Sequence, residues 1–412
     1  MNIAATTDYP IQQYQRIDVL NGLAGALFGP AQPGGTFNYV MKRPTAEPLH
    51  RLTAGYLSQS QWLAHADLGG YADPEHRFGY RLNLLDQDGT SYVDNGRLKR
   101  QLASFGGDIR LGPDTVLETN ASIYHYLTRG LPGTFAVANN VVFPAAVDPT
   151  RVGYGQPWGG DDNTTTFLSG RIKHDINENW RFSAGVSRNT SDRASTVPTN
   201  TIRSNAGNFV TTAATTTFSL DTVDSNHAAL NGRFAPGPIK PDLFLATNGF
   251  LWNRYTPFNR GAITVGSASL GNPLVFSEPN FPDFKDRYRS VYTFQQSITL
   301  GDTVAFNDQW SVLLAVSNSW INTSNYNSVG SLTGGYHASG WSPLGGIMFK
   351  PRENVTTYVT YANSLQQGDS APAGTVNQGE ALAPFRSNQY ELGAKFDLGR
   401  INLNAALYRI ER

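Results

Sequence analysis

The sequence predicts an all-β fold, a transmembrane antiparallel β-barrel, on three observations. Apolar and polar residues alternate with period two through most of the chain beyond Pro48. Short turn signals and long Gly/Asn/Pro-rich loops separate the successive runs, as in a meander whose two ends differ. Several runs reach about ten residues or more, the length of a tilted membrane strand, where ordinary sheets use about five or six.

The first element is the segment RIDVLNGLAGALFGPAQPGGTFNYVMKRP, residues 16–44. Its glycines and prolines surround small apolar residues before the strand-like TFNYVMK. It lacks the G-K-[ST] ending of a P-loop, and no GxGxxG follows a strand and opens a helix, so the residues do not support a nucleotide site. Gly22, Gly25 and Gly29 instead suit close backbone packing, and Pro33-Gly34-Gly35 suits a tight turn into a strand.

In RFGYRLNLL (77–85), Phe78, Tyr80, Leu82 and Leu84 share one face, while Arg77, Gly79, Arg81 and Asn83 take the other. From Val116 to Leu127, Leu117, Ala121, Ile123 and Leu127 oppose Glu118, Asn120, Ser122 and Tyr124. The alternation recurs at 164–176, 180–188, 243–255, 290–300, 311–320, 355–361, 388–398 and 401–410. Turns at 111–115, 176–179, 350–354 and 397–400 are short; loops at 129–162, 189–215 and 256–286 are long. Aromatics near strand ends (Tyr80 and Tyr92, Tyr124 and Tyr126, Trp310 and Trp320, Tyr358 and Tyr361) suit girdles at two membrane interfaces. The same rings would also fit the core of a β-sandwich or propeller.

Composition narrows the function. Lys plus Arg equals Asp plus Glu at 32 each, so no global pull on nucleic acid is indicated. The charged fraction is 16%, below the roughly 25% of soluble domains. With no cysteine there is no disulfide, thiol nucleophile or thiolate metal site. The seven histidines are scattered without ligand spacing, Asp161-Asp162 reads as a solvated loop pair, and no GxSxG elbow is present. Loop aromatics carry more information. Tyr154, Trp158 and the run at 272–284 could present flat apolar surfaces to a ligand beside polar groups, or could pack the loops on themselves.

Two blocks of sequence resemble the TonB-dependent outer-membrane receptors, especially their ferric-siderophore branch. The family pattern at the end of the plug domain runs R-[IV]-E-V-[LI]-[RK]-G-P, small residues, L-[YF]-G, then P-G-G, N and K-R-P. Arg16, Val19, Gly22, Leu27, Phe28, Gly29, Pro33, Gly34, Gly35, Asn38, Lys42, Arg43 and Pro44 match it. Near the other end, the barrel element S-x-x-Y-E-[LV]-G-x-K matches at Ser387, Tyr390, Glu391, Leu392, Gly393 and Lys395. Three departures stand out: Asp18 for Glu, Asn21 for the usual Arg or Lys, and Leu23 for the usual Pro.

The resemblance implies an outer-membrane receptor of a Gram-negative bacterium that takes up ferric siderophores and is not an enzyme. It implies residues 1–47 as the C-terminal part of an α+β plug and residues 48–412 as the N-terminal and central part of a barrel. The family barrel has about 22 strands, against about fifteen strand-like segments here. The start MNIAATTDYP lacks a secretory signal. The expectation is therefore a fragment without the signal peptide, TonB box, most of the plug and the last strands.

The implied ligand is an iron(III)–siderophore chelate, with no cofactor or metal bound by the protein itself. The implied partners are the TonB–ExbB–ExbD complex and outer-membrane lipid, with the receptor a monomer and no nucleic acid involved. Expected site residues are Tyr154 and Trp158 for the ligand. Arg16, Arg43 and Glu391 are expected at the plug–barrel contact, and Gly22, Gly29, Gly34 and Gly35 as plug turns. Another cargo (cobalamin, a nickel chelate, an oligosaccharide) and a passive porin-like barrel are the alternatives.

Overall fold

The structure is a computed structural model that describes residues 9–30, 34–57, 60–215, 217–234, 237, 239–366, 368, 371, 375–376, 382 and 384–411. A 3-10 turn at Ile11–Gln13 leads into β1 (Tyr14–Leu20), the one-turn α1 (Gly25–Phe28) and β2 (Thr36–Met41). β1 and β2 pair antiparallel, with Ile17 opposite Tyr39 and Leu20 opposite Thr36.

Eighteen strands follow. They are β3 (Leu49–Leu57), β4 (Gln61–Tyr71), β5 (Phe78–Thr90), β6 (Arg97–Arg110), β7 (Thr115–Arg129), β8 (Thr134–Val137), β9 (Gly160–Asp175) and β10 (Trp180–Ile202). Next come β11 (Asn208–Ala214), β12 (Ser219–Arg233), β13 (Lys240–Pro257), β14 (Ala262–Ser269) and β15 (Arg287–Ala305). The chain closes with β16 (Trp310–Tyr326), β17 (Leu332–Arg352), β18 (Val355–Gln366), β19 (Phe385–Asp397) and β20 (Asn402–Glu411). All but β8, β11 and β14 join one antiparallel meander. The sheet wraps as a barrel. Residue-by-residue register runs from β3 to β20, and among the described residues no such register joins β20 back to β3. Among the described residues no helix is long and apolar enough to cross a membrane; the strands are the spanning elements.

The burial pattern decides between membrane barrel and soluble sandwich. On β15, Thr293, Gln295, Ser297 and Thr299 are buried, whereas Ile298 and Leu300 are exposed. On β5, Gly79, Arg81, Asn83 and Gln87 are buried, while Phe78 and Leu84 are exposed. The polar stripe lies inside and the apolar stripe outside, the reverse of a sheet folded in water. Such a surface is stable only where the surroundings are apolar, and the hydrogen-bond ladders between strands satisfy the backbone there.

The outward aromatic set includes Trp310, stacked on Phe349 at 4.4 Å between centroids, and Tyr361 against Tyr390. Tyr124, Tyr126 and Tyr358 depart from the girdle expectation. Register places them on the inner face, where Tyr124 joins Leu85 and Leu102 in an apolar cluster. Period two fixes which residues share a face but not which face is inside.

The long loops also hold more structure than their composition suggests. β10 continues to Ile202 and pairs with β11, β11 pairs with β14, and β8 lies parallel to the end of β10. NFVTTAA and AITVGSAS are short alternating β-branched runs among turn residues, and they find partners only in one another and in the end of β10. These four strands roof one end of the barrel. The opposite end carries the short connections, such as Leu111–Asp114 and Ile176–Asn179.

Candidate functional site

The N-terminal segment contacts the inner wall at two places. The first centres on α1, which lies against β15, β16, β17 and β18. The wall there is lined by Ser297, Ser319, Ser364 and Ser387, all fully buried. Small residues meet small residues: a Cβ on Gly25 would come within 2.6 Å of Ser364 Cβ. Gly22 adopts φ +76° and its missing side chain leaves room for the Gln389 amide. Gly29 and Gly35 also have positive φ, at +81° and +101°, as turn glycines do. Nothing lies within 4 Å of a Cβ built on Gly34.

Hydrogen bonds complete this contact. The Leu23 backbone N–H donates to Gln389 Oε1 at 2.8 Å. Gln389 Nε2 donates to Glu391 Oε2 at 2.8 Å, and the Tyr358 hydroxyl donates to Glu391 Oε1 at 2.6 Å. Glu391 thus reaches the segment through Gln389. Arg16 does not take part; it is exposed and pairs with Asp18 on its own strand at 2.9 Å.

The second contact lies where β2 leaves for β3, and it is ionic. Lys42 Nζ donates to Asp67 Oδ2 at 2.8 Å and to Asn83 Oδ1 at 2.9 Å. Arg81 forks onto the same carboxylate at 2.6 and 2.9 Å. Arg43 pairs with Asp108 on β6 and donates to Asn120 Oδ1 on β7 at 2.8 Å. Farther along the wall, Arg171 and Lys173 both bind Glu118. Asp67 is 1% exposed, so its two cations and their hydrogen bonds are what make its charge tolerable.

Sequence reasoning placed Arg43 and Glu391 here and missed Gln389, Lys42 as a ligand of the wall, and Asp67. Gln389 was readable in part, since it lies two residues before Glu391 and so on the same strand face. Asp67 carried no local signal.

Tyr154 and Trp158 lie under the roof. Tyr154 is 1% exposed, clustered with Ile202 and Phe209, and its hydroxyl donates to the Leu270 carbonyl. Asn200 Nδ2 donates to the Tyr154 carbonyl at 2.8 Å. Trp158 Nε1 donates to the Phe276 carbonyl at 3.0 Å, and its ring meets Phe281 edge-on. Both tie the 129–162 loop to the 256–286 loop. Among the described residues no group of three or more His, Asp or Glu is placed to hold a metal.

Comparison with known proteins agrees with this geometry. Residues 104–412 match the family described as TonB dependent receptor-like, beta-barrel. The ferrichrome receptor FcuA of Yersinia enterocolitica is 28% identical over 97% of this chain and 54% of its own length. The metal-pseudopaline receptor CntO of Pseudomonas aeruginosa is 24% identical over 97% of this chain and 56% of its own. The chain thus spans a little over half the length of these curated relatives. Among solved structures, BauA, the ferric preacinetobactin receptor of Acinetobacter baumannii, superposes with a TM-score of 0.81 at 23% identity, covering 97% of this chain and 60% of that one. Pseudomonas aeruginosa FpvA, in complex with a heterologous ferric pyoverdine, also gives 0.81, at 18% identity, covering 97% of this chain and 53% of that one. The chain therefore belongs to the TonB-dependent receptor β-barrel family, whose members are outer-membrane proteins of Gram-negative bacteria.

Proposed function

We propose that the protein is a TonB-dependent receptor that carries a ferric siderophore across the outer membrane. The observation that supports this most is the folded N-terminal segment held against the inner wall, at the Leu23–Gln389 bond and at the Lys42/Arg43 ion pairs. A passive porin has no use for such a segment. In this reading residues 1–47 belong to the plug and residues 48–412 to the barrel. Arg43 and, through Gln389, Glu391 hold the plug to its wall. TonB–ExbB–ExbD supplies the pull that frees it, and iron stays bound by the siderophore with no covalent chemistry. The receptor works as a monomer in outer-membrane lipid.

Tyr154 supports the ligand chamber by locking the roof loops, and Trp158 stands at the chamber side of the same loops. The resemblance to CntO, named as a metal-pseudopaline receptor, favours one other cargo, a chelate of another metal. The test is uptake of radioactive iron from a panel of siderophores by cells expressing the gene, with and without TonB. Uptake that depends on TonB is expected. Uptake that persists after TonB deletion overturns the reading, and rescue confined to another metal selects the second cargo.

A further inference from the structure

The reading as a siderophore receptor leaves the charge of the cargo open, and the inner wall bears on it. Along β4–β9 two carboxylates each serve two cations: Asp67 serves Lys42 and Arg81, and Glu118 serves Arg171 and Lys173. Arg51, in register with Asp67, faces the same interior, and so does Arg100, which donates to the Tyr124 hydroxyl at 2.9 Å. The facing wall is different. In the ladders of β15, β16, β17 and β18, the inward positions of 291–305, 311–325, 334–348 and 356–366 carry no Asp, Glu, Lys or Arg. They carry mainly Ser, Thr, Gln, Gly and apolar residues instead.

The chain as a whole has as many acids as bases, so this positive wall does not follow from a basic composition. Charge has been sorted to one side of the lumen. Arg171 and Lys173 remain about two-fifths exposed while sharing one carboxylate, so their charge is only half neutralised. In a channel walled by protein and lipid, such a field is screened less than on an open surface and concentrates counter-ions. The uncharged wall offers hydrogen-bonding groups and no repulsion.

We infer that the cargo is a net-anionic iron chelate, of catecholate or carboxylate chemistry. A chelate whose hydroxamates only neutralise iron(III) gains nothing from this wall. The inference rests on the siderophore-receptor reading. Its test is equilibrium binding, followed by quenching of tryptophan fluorescence, to the protein expressed from its own genomic locus. The probes are a ferric tris-catecholate and ferrichrome, a neutral trihydroxamate.

The anionic chelate is expected to bind about tenfold tighter or more at low salt, with the gap closing toward about 0.5 M salt, where the Debye length has shrunk to a few ångströms. Replacing both Arg171 and Lys173 by Gln narrows the gap. Glu118→Gln, which keeps both cations and the hydrogen-bonding shape, widens it. Equal binding of the two probes, or a gap indifferent to salt and to Glu118→Gln, overturns the inference and leaves the uptake reading standing. Failure of both chelates to bind overturns the uptake reading, and the inference with it.

Discussion

Leu23 and Gln389 lie 366 residues apart in sequence and are joined by a hydrogen bond of 2.8 Å, from the backbone N–H of one to the side-chain oxygen of the other. The family pattern places a proline where this chain has Leu23, and a proline has no N–H to give. It also places a cation where this chain has Asn21. Two departures that look unrelated in the sequence thus meet at one contact. The chain lacks the cation that would seek Glu391, and it has an amide that reaches Glu391 through Gln389.

Leu23→Pro and Gln389→Ala are expected to loosen this contact without unfolding the barrel. One buried hydrogen bond contributes about 0.5–1.5 kcal/mol, so amide exchange in residues 22–29 should rise by up to about tenfold. Unchanged exchange in Gln389→Ala would show that α1 is held by packing alone.

Asp67→Ala leaves Arg81 and Lys42 without a counter-charge inside the barrel and should cost about 3–5 kcal/mol. Arg16→Ala breaks only an exposed pair on one strand and should cost less than about 1 kcal/mol. Denaturant unfolding in detergent measures both. Equal costs would mean that Asp67 is hydrated in solution.

Leu314 is 59% exposed on the outer face of β16. Leu314→Arg should cost about 2–4 kcal/mol in lipid vesicles if this position lies near the bilayer midplane. The same substitution in a water-exposed sheet would be close to neutral, so unfolding from vesicles decides whether this face meets lipid.

The β1–β2 sheet should be sensitive to alkali. Burial among Tyr9, Tyr39 and Gln13 pushes the Tyr14 hydroxyl up to about 12 from the ordinary 10.0. Burial is the larger cause and the neighbouring Tyr39 adds to it, against the Gln13 hydrogen bond. A group whose folded pKa is raised contributes stability that is present below its unfolded pKa and is lost as pH rises through the folded one. Opening of the sheet is therefore expected between about pH 10 and 12, followed by tyrosinate absorbance and by proteolysis in residues 9–41. Tyr14→Phe should flatten that dependence; a curve that keeps its slope would assign it to Tyr9.

The sequence by itself determined the strands, their alternation and the family, because period two and a long gapped motif are local patterns that survive without any partner. It also put Arg43 and Glu391 at the plug–barrel contact, and it put Tyr154 and Trp158 in the right loops. Only the tertiary structure decided that the polar face is the inner one, since alternation is symmetric until the surroundings are known. Register across strands decided that Glu391 acts through Gln389, that Asp67 sits between Lys42 and Arg81, and that the lumen has one charged wall and one neutral. It likewise placed Tyr154 in the packing of the roof, where a buried ring supports a chamber it does not line. These outcomes depend on which distant residues share a face and a height in the barrel, and no stretch of sequence carries that information alone.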